Sequence, residues 1–212
     1  MLVIPSGLVF LYMLTQEFYE QEDVVHVARQ LLGKVLVTNI DGQLTSGMIV
    51  ETEAYSGVTD KASHAYGGRR TNRTETMYSM GGVAYVYLCY GIHHLFNVVT
   101  NVADIPHAVL IRGIEPIDGI DIMLERRGMK TLKPNITAGP GALSKAMGIV
   151  TAHSGFSLSD GHIYIEDRGI SVAEQDIEAG TRVGVTYAAE DAYLPYRFMI
   201  KGNQYVSKGK GL

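Results

Sequence analysis

The chain has 212 residues, of which 46% are hydrophobic, and it carries a formal net charge of −4. This length and apolar content predict one compact domain with a substantial core, and they exclude a disordered chain. No run of eighteen apolar residues is present, which excludes a membrane-spanning helix, and the single cysteine, Cys89, excludes a disulfide framework and favours a cytoplasmic protein.

Residues 1–16 are expected to form a poorly ordered N-terminal extension, followed by a single domain over residues 17–212. Apolar residues at helical spacing before Gly33 predict a first helix over 23–32. Asp41-Gly42 then marks a hairpin turn between two strands.

Eight strands are predicted from runs of alternating, β-branched and aromatic residues. They cover residues 34–39, 44–55, 84–90, 94–101, 108–114, 162–165, 182–187 and 196–200. Two later helices are predicted, one over 117–127 and one that begins at Pro140. The glycine-rich, basic segment 56–82 is predicted to be a long loop, and ordered loops of this length are usually functional.

The strand predicted over 84–90 has an aromatic face. Side chains alternate along a strand, so Tyr85, Tyr87 and Cys89 share one face. Tyr90 falls at the strand tip, directly before Gly91. Rings on one strand face are suited to stacking on a flat ligand such as a nucleic-acid base.

The strand predicted over 44–55 combines carboxylates with a ring, because Glu51, Glu53 and Tyr55 share one face. Two interpretations stay open from this pattern: solvated residues on an open strand face, or a site in which Glu53 activates water as a general base. Hydrolysis of O-glycosides by Glu51 and Glu53 as an acid–base pair is disfavoured. Residues two apart on a strand project the same way, whereas glycosidase carboxylates flank the substrate.

Motifs for metal and cofactor binding are absent from the sequence. It contains no HExxH, His-x-His or CxxC, and the adjacent His93 and His94 would point to opposite faces of a strand. Neither a Walker loop nor a dinucleotide-binding GxGxxG follows a strand. The sequence therefore predicts an activity without metal or cofactor.

Basic residues cluster despite the acidic total. Between residues 61 and 75, four cations face only Glu75, and the C-terminal stretch is also basic. Such a cluster is either an ordinary solvated surface or a patch that contacts nucleic-acid phosphates. The residues predicted as phosphate contacts are Arg69, Arg70, Arg73 and Arg197.

The motifs are more specific as an ordered set than singly. The set resembles the 3-methyladenine DNA glycosylase family of the alkyladenine type, over about residues 18–207. The matching residues are Glu51-Thr52-Glu53-Ala54-Tyr55, His64, Gly67-Gly68-Arg69, Tyr85-Val86-Tyr87-Leu88-Cys89-Tyr90-Gly91, Asn97, Leu110-Ile111-Arg112, Gly139-Pro140, Arg182-Val183-Gly184-Val185 and Pro195-Tyr196-Arg197-Phe198.

This resemblance implies a mixed α/β (α+β) fold, a single catalytic domain around a curved, mostly antiparallel sheet with flanking helices. It also implies a monomer that excises damaged purines from double-stranded DNA without a cofactor. Glu53 matches the general base, and Tyr90 matches the side chain that enters the duplex in place of the extruded base. The residues that match the base-binding positions are Tyr55, His64, Tyr87, Asn97 and Arg112.

A second function is compatible with the tyrosines alone. A non-catalytic nucleic-acid-binding module could use Tyr85, Tyr87 and Tyr90 as a stacking platform. Such a module has no need of Glu53, so loss of activity without loss of binding in a Glu53→Gln variant separates the two functions.

Overall fold

The computed structural model describes residues 12–212. Within them the chain forms helices α1 (Gln16–Tyr19), α2 (Val24–Gln30), α3 (Ile120–Arg127) and α4 (Pro140–Met147). Asp23 caps α2, since its carboxylate accepts the backbone N–H groups of Val25 and His26. Helices α3 and α4 both end at a glycine in the left-handed region. None of these helices has the length and apolarity to span a membrane.

One antiparallel sheet organises the fold. Its central path runs β3-β4-β5-β2-β1-β6, with β8 paired to both β2 and β7, and it does not close. Register shifts in the long strand β2 bend the sheet. The strands are β1 (Val35–Ile40), β2 (Gln43–Tyr55), β3 (Ala84–Cys89), β4 (His93–Thr100), β5 (His107–Asp118), β6 (Ile163–Glu166), β7 (Ile177–Gly180) and β8 (Arg197–Ile200).

The two faces of the sheet have different roles. Val50, Ala54, Val86 and their neighbours pack against the helices and form the main core. The opposite face carries a smaller cluster, in which Tyr85 packs against residues of the segment 56–82. The predicted fold class, a single mixed α/β domain, is therefore confirmed.

One predicted strand is wrong, and one observed strand was not predicted. Residues 182–187 form no strand, because Arg182 is buried against Asp60 and Gly184 takes a positive φ of 78°. Strand β7 over Ile177–Gly180 was not predicted, since three of its four residues, Glu178, Ala179 and Gly180, are of types depleted in strands. Strand β5 also continues to Asp118, so α3 begins later than predicted.

The predicted N-terminal extension is described only in part, because residues 1–11 lie outside the described residues. Residues 12–14 lie alongside β6. Leu14 N–H donates to Ile165 O at 2.9 Å, and Asp167 N–H donates to Tyr12 O at 2.7 Å. Residues 12–14 therefore add backbone hydrogen bonds at the edge of the sheet that lies furthest from β3.

Candidate active site

The strand register places four distant residues in one row across the sheet. Tyr85 of β3 pairs with Asn97 of β4, which pairs with Leu110 of β5. Leu110 in turn pairs with Glu53 of β2. Paired residues project from the same face, and strands lie about 4.8 Å apart, so the row spans about 14 Å. It forms a floor on the face opposite the main core.

A cavity of about 620 Å³ lies over this floor. Its volume falls within the range of small-molecule sites in proteins. Residues 138–142, at the start of α4, and residues 183–185 contribute to its walls. The aromatic and polar side chains that line it include Tyr55, His64, Arg73, Tyr85, Tyr87, Tyr90, His93, Asn97, Arg112 and Tyr187. All five residues predicted to bind the base thus meet around one cavity.

Glu53 lies immediately behind the cavity wall. Its carboxylate accepts the Tyr55 hydroxyl at 2.8 Å and the Val183 backbone N–H at 2.8 Å. The Arg112 Nη1 atom lies 3.3 Å from the same carboxylate. Glu53 itself has 0% exposure, while all three of these partners line the cavity. The carboxylate is therefore fixed in orientation and separated from the cavity by one layer of groups.

The ring of Tyr55 is supported from behind. The guanidinium of Arg182 lies 4.8 Å from its centroid, a cation–π distance. Arg182 is buried and forms an ion pair with the buried Asp60. Burial, and then the neighbouring Glu53 carboxylate, raise the pKa of the Tyr55 hydroxyl well above its usual value. Tyr55 therefore stays protonated and can donate its hydrogen bond.

A second aromatic wall faces the cavity from β3 and the long loop. The ring centroids of His64 and Tyr87 lie 4.6 Å apart in an edge-on arrangement, and the His64 Nδ1 atom lies 2.9 Å from the Tyr85 hydroxyl. Burial lowers the pKa of His64 to about 4, and the nearby Arg73 and Arg69 add to the shift. His64 is therefore uncharged at neutral pH.

Asn97 is 3% exposed and is held by the backbone. Its side-chain amide donates to Tyr85 O at 3.1 Å and to Leu95 O at 3.3 Å. Both donors of the amide group are therefore used within the protein, and the orientation of Asn97 at the cavity floor is fixed.

Tyr90 also contributes to the lining of the cavity, although its side chain is largely exposed to solvent. It is 89% exposed at the β3–β4 turn and takes a positive φ of 51°. Leu88 and Ile92 beside it are also exposed, at 44% and 71%. An exposed apolar tip of this kind on a strained turn is unusual for a solvated hairpin.

A basic groove of about 500 Å³ adjoins the cavity and shares His64, Arg73 and Tyr187 with it. Arg69 also lines this groove, and the Arg73 guanidinium lies 5.0 Å from the Tyr87 ring centroid. Arg70 is instead occupied by ion pairs with Glu75 and Asp104, each at 2.7 Å. Its side chain must leave these carboxylates before it can contact a phosphate.

The position of Arg197 corrects the prediction that it contacts DNA. It is 6% exposed, and its Nε donates to Glu51 at 2.8 Å. Its terminal nitrogens donate to the carbonyl oxygens of Gly209 at 2.7 Å and Ser207 at 3.1 Å. The Arg197 guanidinium is buried and held by these three hydrogen bonds, so it is not available to a phosphate at the surface, and Arg197 is a structural residue.

Three residues that contact the site were given no role in the sequence analysis. Val183 contacts Glu53, Arg182 contacts Tyr55, and Ser207 contacts Arg112. Val183 and Arg182 fall in a motif that matched the family, whereas Ser207 does not. Tyr187 lines both the cavity and the groove and carried no sequence signal. Within residues 12–212, no group of three or more His, Cys, Asp or Glu side chains is arranged to hold a metal ion.

Comparison with known proteins agrees with this geometry. The family model described as methylpurine-DNA glycosylase matches residues 17–204. A protein of Chlamydia abortus named "Putative 3-methyladenine DNA glycosylase" is 48% identical over 190 residues, which cover 89% of this chain and 98% of that protein. Proteins of the same name from Clostridium perfringens and Bacillus cereus are 46% and 47% identical, over 92% and 90% of this chain and 98% and 97% of their own. The chain therefore belongs to the methylpurine-DNA glycosylase family, and it is a DNA glycosylase of base-excision repair.

Proposed function

We propose that this enzyme extrudes an alkylated or deaminated purine from duplex DNA into the aromatic cavity and hydrolyses its N-glycosidic bond, leaving an abasic site. One observation carries the proposal: the buried Glu53 carboxylate is held directly behind a cavity walled by Tyr55, His64 and Tyr87. A non-catalytic stacking module would gain nothing from a fully buried carboxylate at this position.

In the proposed reaction Glu53 acts as the general base. A water molecule beside the carboxylate gives a proton to Glu53 while its oxygen forms a bond to C1′ of the sugar. The C1′–N bond breaks at the same time, and its electron pair leaves with the purine. The Tyr55 hydroxyl and the Val183 N–H hold the carboxylate in place for this step.

The aromatic walls replace the stacking that an extruded base loses. Stacking on an aromatic side chain contributes about 1–3 kcal/mol per base and tolerates different bases. A positively charged alkylated purine gains about 0.5–2 kcal/mol more from the ring faces of Tyr55 and Tyr87. Because His64 is neutral, it adds no repulsion toward such a base. The fixed amide of Asn97 at the cavity floor limits entry of normal guanine.

Contacts at and around the cavity hold the DNA in place. The exposed Tyr90 enters the base stack where the purine was, as apolar wedges do in proteins that deform DNA. Arg69, Arg70 and Arg73 contact phosphates along the basic groove beside the cavity. Arg112, at the cavity wall, helps to orient the nucleotide.

The test of the proposal is a panel of duplexes that each carry one lesion. The panel contains 3-methyladenine, 7-methylguanine, hypoxanthine and an etheno adduct, with an undamaged duplex as control. Release of free base, with an equal amount of abasic sites, is expected from one or more lesions and not from the control. No release from any lesion would overturn the proposal.

A salt titration tests the phosphate contacts. Each lost contact reduces the slope of log affinity against log salt by about 0.9, so Arg69→Ala/Arg73→Ala should reduce it by about 1.8. Arg168→Ala is the matched control, because Arg168 pairs with Glu166 at the opposite edge of the sheet. Identical slopes for parent and double variant would show that the groove does not bind the backbone. Including Arg70→Ala tests whether that residue leaves its two carboxylates.

We further propose that the enzyme acts as a monomer on chromosomal DNA in the cytoplasm. Light scattering of the protein bound to a lesion duplex should give one protein per duplex, and two per duplex would contradict this stoichiometry.

A further inference from the structure

A buried carboxylate that the proposed reaction does not use lies beside Glu53. Glu51 has 0% exposure and projects from the same face of β2. Its Oε1 atom accepts from Arg112 Nε at 2.8 Å, from Arg197 Nε at 2.8 Å and from the Ser207 hydroxyl at 2.9 Å. Its Oε2 atom accepts the Ser207 backbone N–H at 2.7 Å. Glu51 therefore meets the need of a buried carboxylate for several donors.

Arg112 links this carboxylate to the proposed general base. Its Nε atom bonds to Glu51, its Nη2 atom donates to the Ser207 hydroxyl at 3.2 Å, and its Nη1 atom lies 3.3 Å from Glu53. Three nitrogens of one planar group thus have three different partners. Because a guanidinium is rigid, the first two contacts determine where Nη1 lies.

An irregularity of the sheet creates this arrangement. The register between β2 and β5 shifts on both sides of Glu51, and neither Val50 nor Arg112 has a partner in register there. Bulges of this kind redirect side chains next to active sites. Here the bulge brings the Arg112 side chain onto the two carboxylates.

The C-terminal segment completes the network. Arg197 donates to the carbonyl oxygens of Ser207 and Gly209, and this holds the segment across β5. The segment crosses at Gly113, where a Cβ atom would lie 2.7 Å from Tyr205 O. Only glycine allows this close approach, which delivers Ser207 to both Glu51 and Arg112.

We propose that Glu51, together with Ser207, is a positioning residue that sets the guanidinium of Arg112 against Glu53. This rests on the proposed function, in which Glu53 activates water. Two carboxylates and two guanidiniums balance in charge within the network, so removal of Glu51 leaves both arginines directed at fewer acceptors. Arg112 then shifts relative to Glu53. The general base loses its orientation although Glu53 itself is unchanged.

The test is a double-mutant cycle on single-turnover excision. Glu51→Gln should slow excision about tenfold or more, since a displacement of about 1 Å at a reacting group costs up to 10²-fold. Ser207→Ala, which removes the two hydrogen bonds of the hydroxyl to Glu51 and Arg112, should slow it about fivefold or more. Affinity for the lesion duplex should stay within about twofold for both. In an Arg112→Ala background, both substitutions should have little further effect, because they act through Arg112.

Glu166→Gln is the matched control. Glu166 is a largely buried strand carboxylate that accepts from an arginine at 2.7 Å, but it lies on β6 at the far edge of the sheet. It should lower the melting temperature without slowing excision by the folded protein. Two results would overturn the proposal. One is a reduction of the excision rate by Glu51→Gln that adds to the reduction by Arg112→Ala. The other is a lowered melting temperature of Glu51→Gln with an unchanged excision rate.

A readout that does not depend on catalysis separates this proposal from the proposed function. Hydrogen exchange of the Arg112 Nε–H, followed by NMR, should be slow in the parent and faster in Ser207→Ala. If the parent releases no base but this protection is lost as expected, only the proposed function fails. Unchanged exchange in Ser207→Ala overturns the positioning role, even if Glu51→Gln does not fold.

Discussion

Glu53→Gln should abolish most base excision while leaving the fold and the affinity for DNA nearly intact. General-base catalysis typically contributes 10²–10⁴-fold, which corresponds to about 2.7–5.5 kcal/mol in the transition state. The glutamine side chain has the same shape but cannot accept a proton from water. The carboxylate contributes little to ground-state binding, because it lies behind the cavity wall.

The expected cost to stability follows from the partners of the carboxylate. A glutamine oxygen can still accept the Val183 N–H and face Arg112, while its amide group can donate to the Tyr55 oxygen after that hydroxyl rotates. One hydrogen bond of about 1 kcal/mol is therefore weakened, and Arg112 keeps its ion pair with Glu51. In a domain of this size, that lowers the melting temperature by about 2–4 °C.

The assay measures single-turnover release of hypoxanthine or an etheno-purine with excess protein, and duplex affinity by fluorescence anisotropy in the same buffer. We expect a rate at least 10²-fold below the parent and an affinity within a few fold. Glu166→Gln should match the parent in both measurements. An excision rate within tenfold of the parent would refute the assignment of Glu53, and so would an affinity that falls as much as the rate.

Three further outcomes follow from the site. Tyr90→Ala should leave the melting temperature unchanged, because Tyr90 is 89% exposed. The population of the flipped state, measured by 2-aminopurine fluorescence, should decrease. Unfolding of the variant, or flipping equal to that of the parent, would contradict this. Asp60→Asn breaks the buried pair with Arg182 and should cost about 3–5 kcal/mol in stability, and a melting temperature within about 2 °C of the parent would contradict it. His64 should titrate near pH 4 by NMR, and Arg73→Gln should raise this pKa. The free energy of unfolding should fall as the pH is lowered from 6.5 to 4, because only the unfolded chain takes up the proton in this range. A titration midpoint near pH 6.5 in the parent would contradict the burial of His64.

Local pattern was sufficient for much of the fold. Alternation along β2 and β3 correctly assigned the carboxylates and tyrosines to the face opposite the core, because a strand fixes the side of each residue by itself. Tyr90 before Gly91 correctly marked a turn tip, and Pro140 correctly marked the start of a helix, since these residues act on their own backbone.

What the tertiary structure decided is which faces meet and which charges are buried. Arg197 and Arg69 look alike in sequence, but only the structure shows one paired inside the protein and the other beside the cavity. The row from Tyr85 through Asn97 to Glu53 depends on strand order, which no segment contains on its own. The contact of Glu51 with Ser207 joins residues 156 positions apart in the chain. Pairings over such separations are set by the strand order of the whole sheet and by its bulges, because local sequence fixes the direction of a side chain but not its partner.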